Sequence, residues 1–217
     1  MRPAGLVPCR ERPPRARAHP RLSRGACRLS RHPSRLDESE RFLLRRHPRA
    51  TWERHRNLGE VARFWLQRHA LFRGLDRTIR DGIQDALDGD DETARFRPWL
   101  HRHLGLFLWQ LEEHHGVEDH HYFPLFRKAE PKLARGFEVI ERDHDALHAA
   151  LERLAMRAND VLQSGPRGAG AIRSALGRLH AAQVALSPEL GRHLDDEEDL
   201  VVPLILERGE TALFSTG

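Results

Sequence analysis

The sequence predicts an all-α protein: an up-down-up-down four-helix bundle that follows a disordered N-terminal extension rich in arginine and proline. Three observations support this fold class. Apolar residues recur at helical spacing from Thr51 onward, turns with glycine or proline divide the pattern into four long segments, and no strand-like alternation competes with it. Short connections between long helices favour an antiparallel bundle, in which metal sites are built from inward-facing side chains.

The N-terminal extension, residues 1–50, differs in composition from the rest of the chain. It holds 14 arginines, seven prolines and four acidic residues, with almost no periodic apolar pattern. Such a segment buries too little apolar surface to offset the entropy lost on folding, so we predict that it is disordered and assign residues 51–210 to the bundle. The formal net charge of +4 comes from the extension, because residues 51–217 contain 22 basic and 28 acidic residues.

The first two helices are expected over 52–88 and 93–127. Thr51 can act as the N-cap of the first helix, and the turn after Asp88 ends it. Pro98 falls in the first turns of the second helix, where proline is tolerated. Pro124 should kink or end that helix.

The third and fourth helices complete the predicted bundle. Pro131 suits the first turn of the third helix, which ends before the glycine-rich loop at 164–170. The fourth helix is expected over about 170–207. We expect kinks at Pro188 and Pro203, since a proline inside a helix removes one backbone hydrogen bond.

A repeated motif lies near the end of the second and fourth helices. His114 and Glu118 stand ten and six residues before a proline, and His193 and Glu197 stand in the same register before another. A histidine and a glutamate four residues apart lie on one face of a helix, so both can reach one ion beside it. Two such helices make half of a dinuclear metal site.

The other half is expected on the helix that precedes each copy of the motif. His69 and His144 fall at matching positions among leucines, and His148 adds one more imidazole on the third helix. A single histidine on an apolar face is usually not a ligand. Several buried imidazoles and carboxylates without partners would, however, cost several kcal/mol per charged group, and a bound cation removes that cost. The predicted metal ligands are His69, His114, Glu118, His144, His148, His193 and Glu197.

The neighbours of these residues are not predicted to be ligands. His115 lies about 100° around the helix from His114, so the two cannot point to the same ion. His115 or Asp119 could instead orient a ligand from outside the metal site. We expect the acidic residues that flank Glu197 to be solvated, with Glu198 the one that could turn inward. Other histidines without a predicted metal role are His101, His103, His120, His121 and His180.

The ligand types limit the choice of metal. Both cysteines, Cys9 and Cys27, lie in the extension, so the site is made of nitrogen and oxygen donors. Imidazole and carboxylate suit iron, manganese or zinc. Apolar neighbours that we expect to keep the site dry are Trp65, Phe72, Trp109 and Phe123.

This set of motifs resembles the hemerythrin-like family, also called the HHE cation-binding domain, over roughly residues 52–208. The family pattern is a lone histidine, His-x-x-x-Glu, His-x-x-x-His, and a histidine followed by a carboxylate. The resemblance implies two non-haem iron ions bridged by an oxo group and by Glu118 and Glu197. His144, His148 and His193 would hold one iron. His69 and His114 would hold the other, which is left one ligand short for O2, peroxide or NO.

One position departs from the family's oxygen carriers, in which an aspartate follows the last histidine by five residues. Here Glu197 follows His193 by four residues and Glu198 by five. The internal repeat favours Glu197 and the oxygen-carrier spacing favours Glu198. We prefer Glu197, and both remain open.

The function implied is binding of O2 or a related small oxidant, in oxygen handling, iron handling or redox sensing in the cytoplasm. We do not assign an enzyme activity. One alternative is a di-iron oxidase or peroxidase, whose usual signature is a paired Glu-x-x-His, whereas this chain has His-x-x-x-Glu at the decisive positions. Another is a redox-sensing regulatory module whose basic arm contacts DNA or a partner protein. We expect no membrane segment, because no run of about 18 apolar residues exists, and no nucleic-acid site, because aromatics do not alternate with the arginines.

Overall fold

The structure, a computed structural model, describes residues 33–89, 93–164 and 169–214, and within these ranges the chain is all-α and contains no strand. The long helices are α2 (Glu60–Asp88), α3 (Thr93–Val117), α5 (Ala134–Gln163) and α6 (Ala169–Arg208). Short helices are α1 (Phe42–Arg46), α4 (Phe123–Ala129) and α7 (Glu210–Phe214). Two 3-10 turns, Arg49–Arg54 and Pro131–Leu133, and a π-helical turn, Glu118–Tyr122, complete the described elements. No described helix is long and apolar enough to cross a membrane.

The four long helices share one interior. α2 contacts α3 and α6, and α5 contacts the same two helices. Apolar spacing explains this arrangement, because residues three or four apart form one face of a helix. The buried residues of α2 show the pattern, with only two polar side chains among them: Ala62, Trp65, His69, Phe72, Asp76, Ile79 and Ile83.

The first long helix starts later than the sequence predicted. Thr51 lies in the 3-10 turn Arg49–Arg54, and α2 begins at Glu60 after Gly59. The N–H of Ala62 donates to Glu210 Oε1 at 3.0 Å, so a carboxylate from α7 satisfies a free donor in the first turn. A Cβ at position 59 would lie 2.2 Å from the carboxylate of Glu210, so a larger residue there would displace the end of that side chain.

Proline affects the second and fourth long helices differently. The expected interruption near Pro124 is present, since α3 gives way to the π-helical turn at Glu118. Within that turn the N–H of Phe123 donates to the carbonyl of Glu118, five residues back. The wider turn suits a proline that lacks an N–H and crowds the preceding turn. α6, by contrast, remains helical through Pro188 and Pro203.

Residues 33–54, which we call the N-terminal strap, are packed against the helices. Leu36, Leu43 and Trp52 are buried, and α1 contacts α6. The prediction that residues 1–50 are disordered is therefore wrong for 33–50. These few apolar residues join a large apolar surface of the helices, which the composition of the segment alone does not reveal. Residues 1–32, with Cys9 and Cys27, lie outside the described residues.

Two apolar cores lie on either side of a polar layer. The first core includes Phe72, Leu111, Leu147 and Leu190, and the second includes Trp65, Phe123, Ile140 and Leu200. Along each long helix the predicted metal ligands fall between a residue of the first core and one of the second. The polar layer is thus enclosed by apolar packing on both sides, which raises the cost of any unpaired polar atom within it.

Candidate metal centre

Seven side chains of the polar layer form two groups of donors. Within each group, one donor atom from every residue lies within 4.8 Å of the others. We call the first group site A, which consists of His69, His114, Glu118 and Glu197. We call the second group site B, which consists of His115, His144 and His193.

Both carboxylates of site A extend toward site B. Glu118 Oε1 lies 3.0 Å from His114 Nε2, and its Oε2 lies 3.6 Å from His144 Nε2. Glu197 Oε1 lies 3.5 Å from His69 Nε2, and its Oε2 lies 3.3 Å from His193 Nε2. Each glutamate thus presents one oxygen to a histidine of each site, which is the arrangement expected of carboxylates that bridge two cations.

The imidazoles of the centre are mostly held in the neutral form that binds a cation. Burial lowers the pKa of His114 to about 3, and burial together with neighbouring imidazoles lowers the pKa values of His115 and His193 well below the ordinary range. His69 is the exception. Burial opposes its charge, but Glu197 and Glu198 outweigh burial and raise its pKa to about 9. A cation in site A would compete with that proton.

The two carboxylates respond oppositely to their surroundings. Burial, and then the charge of Glu197, raises the pKa of Glu118 well above its usual range. Burial also disfavours the charged form of Glu197, but His69 and His193 hold the pKa of this carboxyl well below its usual range. Two close carboxylates cannot both ionise cheaply without a positive partner. A divalent cation would supply that charge.

Polar atoms without hydrogen bonds are concentrated in this layer. Among the described residues, the buried atoms without a partner include both oxygens of Glu118, both ring nitrogens of His193, and one atom each of His115, His144 and Glu197. Leaving a buried donor or acceptor unpaired costs about 1–3 kcal/mol. The donor atoms are nitrogen and oxygen, which suit iron, manganese or zinc. The residues therefore fit a bound metal pair.

Side chains around the centre hold two of the imidazoles from outside. His144 Nδ1 lies 2.8 Å from Asp119 Oδ1, so the orienting contact expected of Asp119 is present. His69 Nδ1 lies 3.1 Å from Glu198 Oε1. In both cases the opposite ring nitrogen, Nε2, faces the centre. Trp65 Nε1 donates to Glu197 Oε1 at 2.6 Å and orients that carboxylate as well.

The structure brings six of the seven predicted ligands into sites A and B, and His148 is the one it leaves out. His148 Nε2 instead lies 3.2 Å from Nδ1 of His115. His115, which the sequence did not predict as a ligand, lies in site B instead: its ring is fully buried and stacks on His144 at 4.0 Å.

The geometry explains why sequence reasoning missed His115. Neighbouring residues 100° apart cannot reach one ion, but α3 contacts both α2 and α5. His114 therefore faces site A while His115 faces site B. The signal that could have found it was the adjacent pair itself, since a centre with two ions offers a separate target to each histidine.

Glu197 and Glu198, between which the sequence left the bridging role open, occupy different positions. Glu197 faces both sites, whereas Glu198 binds Arg49 and Arg73 and touches only the outer nitrogen of His69. The expectation that the acids around Glu197 are solvated is wrong. Asp196, Glu198 and Asp199 are each at most 8% exposed. Arginines from α2 and from the N-terminal strap compensate this acidic stretch, and composition alone could not show that.

The apolar surroundings match the expectation in three of four cases. Trp65, Phe72 and Phe123 are buried beside the centre, but Trp109 is 57% exposed. A cavity of about 190 Å³ adjoins site A. It is lined by Phe64, Trp65, Arg68, Glu113, His114, Val117, Glu118 and Tyr122. His114, with 10% of its side chain exposed, is the most accessible residue of either site.

An all-α protein with paired histidine sites that share two glutamates belongs to the class of helical cation-binding proteins. The sequence profile of the Hemerythrin HHE cation binding domain matches residues 60–205, which is more than half of the chain. The chain therefore belongs to the hemerythrin HHE cation-binding family. No curated protein and no solved structure shows significant similarity to it.

Proposed function

We propose that this protein is a non-haem di-iron protein that binds O2 or a related small oxidant, and that it serves oxygen handling, iron handling or redox sensing in the cytoplasm. The proposal includes an up-down-up-down arrangement of the four long helices. The observation that carries it is the pair of glutamates, Glu118 and Glu197, each with one oxygen toward each site. A single-ion site has no need of two carboxylates placed in this way.

In this proposal, site B holds one iron through His115, His144 and His193, and site A holds the other through His69 and His114. Glu118 and Glu197 would bind both ions. Bound iron would supply the capacity to donate and recover electrons when a small oxidant binds. The protein contributes imidazoles, of which His69 and His144 are held by carboxylates on their outer nitrogens, and a surrounding from which apolar residues exclude bulk water.

The ligand is proposed to reach site A rather than site B. Site A has two imidazoles, whereas site B has three, and His114 and Glu118 of site A line the cavity. Its volume of about 190 Å³ suits a ligand of a few atoms and is smaller than the 300–1,000 Å³ typical of drug-sized ligands. Trp65 and Tyr122 line it and favour a small, weakly hydrated ligand.

The described arginines of the N-terminal segment give little support to a DNA-binding arm. Of the five arginines described in residues 33–50, Arg35, Arg45, Arg46 and Arg49 form ion pairs with acidic residues of this chain, and nine further arginines of the extension lie outside the described residues. The charge of these four serves internal contacts, so a phosphate backbone would have to compete for it. We therefore propose binding of a small oxidant, not regulation through residues 33–50.

Elemental analysis combined with an optical spectrum tests the proposal directly. Purified protein should contain about two iron atoms per chain, and air exposure of the anaerobic ferrous protein should produce a ligand-to-iron charge-transfer band in the near ultraviolet. About one zinc per chain with no iron would overturn the proposal. Protein that contains two irons but whose spectrum does not change with O2, NO or peroxide would support the di-iron centre and contradict the proposed ligand.

The proposed route has its own test. Val117→Phe should narrow the cavity and slow the spectral change on mixing with O2 by about tenfold, without loss of iron. Leu106→Phe is the matched control, because Leu106 is an exposed α3 residue that does not line the cavity. Equal rates in the two variants would place the entry elsewhere.

A further inference from the structure

The N-terminal strap reaches the metal centre through one arginine. Arg49 Nε and Nη1 lie 2.5 Å from Asp199 Oδ1 and Glu198 Oε2, and Nη2 donates to the carbonyl of Asp195 at 2.8 Å. Its guanidinium also lies 4.9 Å from the centre of the Trp52 ring, which holds it from the strap side. Three donors of one guanidinium are thus directed at a single stretch of α6.

Glu198 connects that arginine to site A. Its Oε2 is bound by Arg49, whereas its Oε1 accepts from Arg73 Nη1 at 2.6 Å and lies 3.1 Å from His69 Nδ1. The side chain is only 5% exposed. A buried carboxylate is costly unless its oxygens are paired, so two arginines keep Glu198 charged and in place.

The contact fixes which nitrogen of His69 can bind a cation. A charged carboxylate only accepts hydrogen bonds, so the ring donates its Nδ1–H to Glu198. Nε2 is then the nitrogen left to bind a cation once its proton is displaced, and this atom lies 3.1 Å from His114 Nε2 and 3.5 Å from Glu197 Oε1. Carboxylates that hold the outer nitrogen of a ligating histidine set its ring orientation and strengthen it as a ligand.

We propose that Arg49 is a positioning residue of site A, which acts through Glu198 on the orientation of His69. This inference rests on the proposed metal function of site A. Arg49 lies before residues 60–205, the range matched by the family profile, whereas Glu198 and His69 lie within it. The strap thus adds a support to the centre from outside the family domain.

The other supported imidazole provides a contrast within the same molecule. Asp119 holds His144 at 2.8 Å, but the Asp119 side chain is 28% exposed and no arginine pairs with it among the described residues. Water can replace missing partners of Asp119. It cannot easily do so for Glu198, so loss of Arg49 should affect site A and spare site B.

The test measures iron release to a chelator from the iron-loaded, full-length protein. Arg49→Gln should release one of its two irons about tenfold faster, which is the lower end of the 10- to 100-fold loss of affinity typical when the group that holds a ligating histidine, here Glu198, is disturbed. The charge-transfer band should shift at the same time. Arg49→Lys should release iron at a rate between those of Arg49→Gln and the wild type. Arg46→Gln is the matched control, since this strap arginine pairs with Glu207 and not with Glu198.

A double-mutant cycle tests whether Arg49 acts through Glu198. Glu198→Gln should also speed the release of one iron, and adding Arg49→Gln to it should change the rate little further. Independent, multiplying effects of the two changes on the release rate would overturn the proposed path.

A general loosening of the strap is tested separately with Leu43→Ala, which removes a buried strap side chain and leaves Arg49 in place. We expect Leu43→Ala to lower the melting temperature without speeding iron release tenfold. Equal acceleration in Leu43→Ala and Arg49→Gln would reject the positioning role. If wild-type protein holds no iron pair, the proposed function fails. If it holds two irons and Arg49→Gln releases them at the wild-type rate, only this inference fails.

Discussion

Sites A and B are neighbours in one polar layer, yet they differ in composition and access. Site B consists of three imidazoles that are each at most 1% exposed. Site A combines two imidazoles with both carboxylates, and its His114 borders a cavity. The comparison teaches that a helical interior can give two adjacent sites different tasks. In the proposed function, site B retains a cation and site A keeps a ligand position open.

The difference arises from the geometry of α3. Two consecutive histidines point to different neighbours, and the π-helical turn that follows begins at Glu118. The adjacent Asp119 reaches His144 from the same turn. One short stretch therefore contributes to both sites, and the π-helical turn is an example of the irregularity often found in helices at functional positions.

The largest effect should come from one of the two glutamates that the sites share. Glu197→Gln replaces one bridging charge, so both cations lose a ligand, and iron content should fall from about two atoms per chain to well below one. The iron content per chain is measured by elemental analysis after purification with added ferrous salt. The isosteric control is Glu152→Gln, an exposed position on α5. Full iron content in the Glu197 variant would show that the two sites do not depend on this carboxylate.

Single-site losses should separate site A from site B. His114→Ala should leave close to one iron per chain, because the three imidazoles of site B remain. His193→Ala should retain less, since it leaves site B with two imidazoles while Glu197 loses its partner on that side. If the His193 variant kept more iron than the His114 variant, site A rather than site B would be the site that retains iron more strongly.

The third imidazole of site B can be identified by a matched pair of variants. His115→Ala should lower iron content by at least half, because it removes a buried donor, whereas His148→Ala should cost less because His148 contacts only the outer nitrogen of His115. The iron content and the charge-transfer band are measured for both variants. A larger loss in the His148 variant would restore the family assignment of this residue over the geometric one.

The smallest predicted effect concerns the metal-free protein between pH 6.5 and 9. The pKa of His69 is raised to about 9, so its stabilising contribution is complete below pH 6.5 and is lost as pH rises through 9. The raised pKa of Glu118 acts in the same direction. His114, His115 and His193, whose pKa values are lowered, act in the opposite direction only near pH 6.5, where an unfolded imidazole is still about half protonated, and contribute little further change above about pH 7.5.

Urea unfolding of the metal-free protein at pH 6.5 and pH 9 measures this loss. At about 1.36 kcal/mol per pKa unit, His69 contributes at most about 3 kcal/mol. His69→Gln should show a smaller decrease, and iron-loaded wild-type protein should show little, because a bound cation replaces the proton. Higher stability at pH 9 than at pH 6.5 in the metal-free wild type would contradict the charge state assigned to site A.

Much of the centre could be predicted because its ligands lie at helical spacing. His114 with Glu118, and His193 with Glu197, are each one turn apart, and that relation holds in any helix whatever surrounds it. The all-α class and the family followed from the same periodicity. The start of α2 could not be predicted in this way, since a free donor in its first turn, the N–H of Ala62, is paired with Glu210 from the opposite end of the sequence.

The sequence by itself determined the helical class, the family and the residues that can bind a cation, because these depend on side-chain chemistry and on spacing within single helices. Only the tertiary structure decided that His115 rather than His148 faces His144 and His193, because that depends on which neighbouring helix each face of α3 meets. It also decided that Glu198 is buried and paired with Arg49, about 150 residues away in the chain. Pairing of buried charges across such separations follows from packing, and no local pattern records it.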